Sequence, residues 1–156
     1  MYSVKRLKAI DIFGILKVTN ILQKCGKDMA LRSDLHHWDN FYLKTLAIVF
    51  YCSLKNDIYL VFGSNTPVAT FQTRKIGRSL LFQKLATSPD FSNGGIGTFC
   101  LSQIEKIAKE TQSDEILCEV YDKSENAVRF YLNRGFKIYD TKETLKYKEL
   151  KMKKEL

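Results

Sequence analysis

Only 2 prolines, 2 histidines and 1 tryptophan occur among the 156 residues, alongside 8 glycines. With 45% hydrophobic and 27% charged residues, the composition argues against disorder, collagen-like repeats and coiled coil. The longest apolar run, Leu46 to Cys52, falls far short of the roughly 20 residues that cross a bilayer. Lys5, Arg6, Lys8 and Asp11 interrupt any apolar core of an export signal. The expectation is a soluble, cytoplasmic protein with no membrane partner. Metal ligation lacks its usual clustering: Cys25, Cys52, Cys100 and Cys118 form no CxxC pair, and the adjacent His36 and His37 sit beside none of them. In a chain of this length without an export signal, the cysteines read as small buried hydrophobes rather than a disulfide framework.

Positive charge, by contrast, is abundant. The net charge of +8 favours a polyanion, whether nucleic acid, an anionic surface or a phosphorylated cofactor. Its basic residues are spread along the chain, and Glu149 and Glu155 break up the lysine-rich end. Lysines there alternate with Leu145, Tyr147, Leu150 and Met152, as on the solvated face of a strand. No basic face with interleaved aromatics is visible, so nucleic acid is not an expected partner.

The chain reads as one domain, 1–156, without internal repeats. Val4 to Leu7 suits a first strand, and Asp11 suits the N-cap of a helix that Gly26 would stop. Met29 to Asn40 reads as a polar loop, and Tyr42 to Ser53 as a buried helix. Ile58 to Phe62 and Pro67 to Gln72 form a predicted hairpin, and Pro67 stands at a strand start where a missing N–H does least harm. Gly77 marks another turn. Ser79 to Thr87 then reads as a strand whose segment closes at Pro89. A helix from about Thr98, a strand over Ile116 to Tyr121, a helix over Glu125 to Asn133, a strand over Phe136 to Tyr139 and a last strand over Leu145 to Met152 complete the order. Antiparallel hairpins followed by strand–helix–strand–helix–strand predict an α/β protein, its mixed sheet covered by helices on both faces.

Ser92, Asn93, Gly94, Gly95, Ile96, Gly97 and Thr98 join a strand to a helix. Such a joint aims unpaired backbone N–H groups at one spot, at the positive end of the helix dipole. Glycines let a phosphate approach the backbone without a Cβ in the way. A P-loop is excluded because no Gly-Lys-Ser/Thr follows. A dinucleotide fingerprint starting at Gly95 would need glycine where Cys100 stands.

The stretch from Leu85 to Gly97, with its Ser92-x-x-Gly95-x-Gly97 core, resembles the acetyl-CoA-binding segment of the GNAT superfamily of N-acetyltransferases, and departs from it at Ser92, where that family usually places Gln or Arg. A second match follows: Cys118-Glu119-Val120-Tyr121, then Asn126-Ala127-Val128-Arg129-Phe130-Tyr131 and Gly135-Phe136, is similar to the family's L-E-V…N…Y…G-F signature. The resemblance spans Ile58 to the C-terminus; residues 1–57 match loosely, as a variable acceptor-side region before the acetyl-CoA-binding core of 58–156.

What the resemblance implies is a mostly antiparallel sheet with a splayed parallel strand pair, and transfer of an acetyl group from acetyl-CoA to a primary amine. Acetyl-CoA would lie against Leu85, Ala86 and Thr87, with its pyrophosphate on residues 92–98, and would touch Asn126 and Tyr131. Tyr131 would donate to the leaving thiolate, and Glu119 would take the proton of the amine. Asn126 also suits a helix N-cap, Tyr131 a core aromatic, and Glu119 a lysine-paired surface residue. His36, His37 and Trp38 would fall beside the acceptor. The acceptor would be a small-molecule or peptide amine, and a homodimer is common among relatives. With no cysteine beside a histidine in the matched motifs, transfer would be direct, in a ternary complex. The alternative is a GNAT-fold module that binds CoA or acyl-CoA with little turnover.

Overall fold

The computed structural model describes residues 1–8, 11–91 and 94–156. In chain order they form β1 (Tyr2–Arg6), α1 (Ile12–Ser33), α2 (Tyr42–Ser53), β2 (Asp57–Gly63), β3 (Thr66–Ile76), β4 (Ser79–Thr87), a 3₁₀ turn (Pro89–Phe91), α3 (Ile96–Glu110), β5 (Glu115–Tyr121), α4 (Glu125–Leu132), β6 (Lys137–Glu143) and β7 (Lys148–Glu155). The strands make one sheet in the order β1-β2-β3-β4-β5-β7-β6. Every neighbouring pair is antiparallel except β4 with β5.

Period-2 alternation divides the core. Tyr59, Val61, Phe71, Leu80, Phe82, Ile116 and Cys118 pack with α3 residues Cys100, Leu101 and Ile104 and with Tyr131 of α4. Ile58 and Leu60 point the other way, onto Ile15, Val18, Leu22 and Val49 of α1 and α2. The sheet is therefore covered on both faces, as the sequence implied. Among the described residues, no helix is long and apolar enough to cross a membrane.

One irregularity in β4 decides the shape of the site. Opposite β3, Thr70 pairs with Ala86 and Gln72 with Gln83, so two β4 residues, Lys84 and Leu85, face the single residue Phe71. Lys84 takes a left-handed φ of 50°. This bulge reverses the alternation: Leu80 and Phe82 face α3, whereas Ala86 faces α1. A bulge bends and twists its strand. Pairing of β4 with β5 is confined to Ser79–Leu81 against Glu115–Leu117, and past it the two strands part.

Several boundaries differ from the sequence reading. Asp11 does cap α1, its carboxylate accepting the Gly14 N–H at 2.7 Å. Yet α1 continues through Gly26 to Ser33 and ends on Asp34 with φ 54°, so the loop expected from Met29 shrinks to residues 34–41. Gly26 is a place of close approach, since a Cβ there would lie 2.3 Å from the backbone carbonyl oxygen of Trp38. Gln23 completes the mooring, its amide donating to the Asn40 carbonyl at 2.7 Å and to the Thr45 hydroxyl at 2.5 Å. The last strand starts at Lys148 rather than Leu145, because Thr144 and Tyr147 close a turn through mutual backbone and hydroxyl bonds. The helix expected from Thr98 begins at Ile96, held by that residue's burial.

Gly26→Ala gives a test of the mooring. In an open helix interior this change stabilises by about 1 kcal/mol. Here it forces a methyl group into backbone, and a loss of about 1–3 kcal/mol is expected in urea unfolding, with an altered emission from Trp38. A stabilised variant would show that the loop yields freely.

Candidate active site

The opening between β4 and β5 has two ends. At one, α3 starts on Gly95, whose φ of 74° belongs to the left-handed region that glycine enters at little cost. A Cβ on Gly95 would meet nothing within 4 Å, whereas one on Gly97 would touch the Phe130 ring at 3.4 Å. No described side chain caps this helix, and its first turn holds no acidic residue. Its first N–H groups have no intrahelical acceptors and the dipole favours an anion beside them. The open space at Gly95 and the uncapped turn fit a phosphate group. The Tyr2 hydroxyl of β1 steadies the loop by donating to the Gly94 carbonyl at 2.8 Å. Ser92 and Asn93, expected to share in cofactor binding, lie outside the described residues.

Arg134, which precedes Gly135-Phe136 in the matched motif but was given no role there, joins the two helices at this end. Its guanidinium stacks 3.7 Å from the Phe130 ring centroid and donates to the Thr98 hydroxyl at 2.7 Å. The only sequence signal is the four-residue spacing from Phe130, one helical turn. Asn126 sits exposed in the first turn of α4. The N-cap position belongs to Ser124, so the reading of Asn126 as a cap is corrected.

At the other end, a cavity of about 150 Å³ is lined by Leu85, Cys118, Glu119, Tyr131 and Glu149, among others. Tyr131 is buried against the rings of Phe82, Phe130 and Phe136. Burial above all, and then the neighbouring Cys118 and Cys100 thiols, push its phenol far above the ordinary tyrosine value. Ala86 is buried on the α1 side, and the Thr87 carbonyl accepts the Cys25 thiol at 2.9 Å.

Glu119 combines the two positions open to it, for it lines the cavity and also meets the Lys142 ammonium at 3.4 Å. Lys142 reaches Glu149 as well, at 3.8 Å. Burial first, and Glu119 second, raise the Glu149 carboxyl above its usual range. Neither Lys142 nor Glu149 was evident beforehand, because both arrive through the pairing of β7 with β5 and β6. Burial pushes the Cys25 and Cys100 thiols up to about 12 and Cys118 higher still.

The moored loop forms the cavity's outer wall. His37 stacks 4.4 Å from Tyr121 and neighbours Trp38 and Tyr147. Burial holds its imidazole below the ordinary value. His36 points outward, its pKa raised by hydrogen bonds to Asp34 and Asp39. The structure thus brings Leu85, Glu119, Tyr131, His37 and Trp38 to one opening, with the Gly95 turn at its far end.

A sheet split at its one parallel pair, with an anion-ready helix start at one end and a phenol and carboxylates at the other, defines a class of α/β protein built around an extended phosphorylated carrier. The chain matches the acetyltransferase (GNAT) family over residues 17–136. It belongs to that family, and is an acyltransferase with acetyl-CoA as cosubstrate. Solved structures of similar fold include an N-acetyltransferase, PaiA, from Thermoplasma acidophilum in complex with coenzyme A, with TM-score 0.81 and 16% identity over 100% of this chain and 99% of that one. The ribosomal-protein-S18-alanine N-acetyltransferase of Escherichia coli gives 0.75 and 13% identity over 99% and 94%. A family member from Elizabethkingia anophelis with acetyl-CoA bound gives 0.72 and 13% over 99% and 98%. No curated protein sequence matches the chain.

Proposed function

We propose that the protein is an N-acetyltransferase that moves the acetyl group directly to a primary amine while both substrates are bound. The observation that carries this reading is the presence of Tyr131 and Glu119 in one cavity within the opening between β4 and β5. Bound acetyl-CoA supplies an acetyl group activated as a thioester. The α3 terminus at Gly95 to Thr98 holds the pyrophosphate, with Asn126 at the start of α4 on the other side. Leu85, Ala86 and Thr87 flank the pantetheine arm as a neighbouring strand would.

Within that frame, Glu119 accepts a proton from the amine. Lys142 holds its carboxylate in place. Tyr131 keeps its own proton throughout the neutral range, because its phenol is pushed up. It therefore acts as a hydrogen-bond donor toward the sulfur as charge develops there, rather than as an acid already giving up its proton. The raised thiols of Cys25, Cys100 and Cys118 hold very little thiolate at neutral pH, which favours direct transfer over an acyl-cysteine.

Acetyl-CoA at about a hundred times its dissociation constant should stabilise the fold by roughly 2.7 kcal/mol, read as an upward shift in thermal melts. Gly95→Val strains a left-handed backbone and should abolish most of that shift while a folded baseline remains. An unshifted wild-type melt would overturn the assignment of the glycine turn. Release of CoA with a panel of amines then tests transfer itself.

A further inference from the structure

The cavity holding Tyr131 adjoins a larger one, of about 610 Å³, and His37, Trp38, Lys84 and Tyr121 line both. Charge changes sign from one cavity to the other, with Lys84 at the boundary that both share. Two carboxylates, Glu119 and Glu149, line the inner cavity. Lys44 and Lys146 line the outer one, and among the described residues neither has an ion-pair partner. The outer cavity's acids, Asp34 and Asp39, are both engaged by His36, at 2.9 and 3.5 Å. Between the two ends lies an aromatic waist: His37 against Tyr121 at 4.4 Å, with Tyr147 5.4 Å beyond and Trp38 on the other side. The His37 Nδ1 is buried there without a partner.

We propose that the acceptor is an amine that carries an anionic group, carboxylate or phosphate, at the far end of a flat apolar body. Its amine sits inward by Glu119 and Glu149, its body lies against the aromatic rings that both cavities share, and its anion meets Lys44 and Lys146. A polyamine puts a second cation where these lysines stand, and like charges repel. This inference rests on the transferase reading for the amine's fate, and on the cavities alone for its charge.

The test uses 4-(aminomethyl)benzoate, its uncharged carboxamide, and spermidine. Binding is read from Trp38, the only tryptophan, and turnover from CoA release. The benzoate should quench Trp38 at the lowest concentration and show a kcat/KM about tenfold above that of the amide, the scale of two partly exposed charge contacts. Lys44→Glu with Lys146→Glu should erase that advantage through KM, while the acetyl-CoA melt shift persists. Equal constants for benzoate and amide, a preference for spermidine, or no quenching by any probe would overturn the proposal. A melt shift with acetyl-CoA and turnover of any amine would still leave the transferase reading standing, while quenching without turnover would sink that reading and keep this one.

Discussion

Tyr131→Phe is expected to lower turnover by about 10²–10³-fold, the usual contribution of one positioned hydrogen-bond donor to developing charge. The acetyl-CoA melt shift should persist, because the ring contacts with Phe82, Phe130 and Phe136 do not involve the hydroxyl. Stability should change little for the same reason. Raising the pH through the neutral range should not mimic the variant, since burial keeps the wild-type phenol protonated there. If Tyr131 serves only to fill the core, turnover stays within a few-fold of wild type. Single-turnover measurement of CoA release separates the two outcomes, because it isolates chemistry from product release.

The second large effect belongs to Glu119→Gln. A general base contributes about 10²–10⁴-fold, and the loss should be greatest at low pH, where the acceptor amine is mostly protonated. As pH rises more amine is neutral before it binds, so the deficit should narrow. The variant leaves Lys142 with Glu149 at 3.8 Å as partner. It also removes the like charge that helps to raise the Glu149 carboxyl, so that group moves back toward its ordinary range. Were Glu119 only a surface ion-pair residue, its loss would cost about 1 kcal/mol or less, and the rate would hold at every pH. A pH profile of kcat/KM for the two proteins decides the matter.

How much of this was legible beforehand follows from where the signals reside. From Ile58 onward, alternation and turn residues mark each strand, and β4 runs from Ser79 to Thr87 as read. Glycine is ambiguous by nature, and Gly26 showed it. In sequence it looks like a helix stop, and only the carbonyl of Trp38, twelve positions on and lying across α1, shows why glycine is needed there. The bulge at Lys84 left no trace, since lysine is no marker of a left-handed backbone. Of the candidate site, the parts carried by local motifs were visible: Leu85, the Gly95 turn, Glu119 and Tyr131. Lys142 and Glu149 were not, because register across β5, β7 and β6 delivers them, nor was Tyr147, which the turn with Thr144 places. Arg134 acts through a helix packed from elsewhere in the chain.

The extra residue in β4 has an energetic meaning beyond its geometry. A strand that peels away from its only parallel neighbour leaves a stretch of backbone edge inside the protein rather than at its rim. Exposed edges elsewhere are blunted by charge, as on β6, where Lys137, Asp140, Lys142 and Glu143 line an exposed border strand. Along the interior edge, where Lys84 of β4 and Glu119 of β5 line the cavity, β4 is left unpaired toward β5, which is where the proposed function seats the pantetheine arm. Removing Lys84 would restore the alternation of β4 and let it zip onto β5. The resulting sheet would be more regular, and the groove proposed for the donor would close.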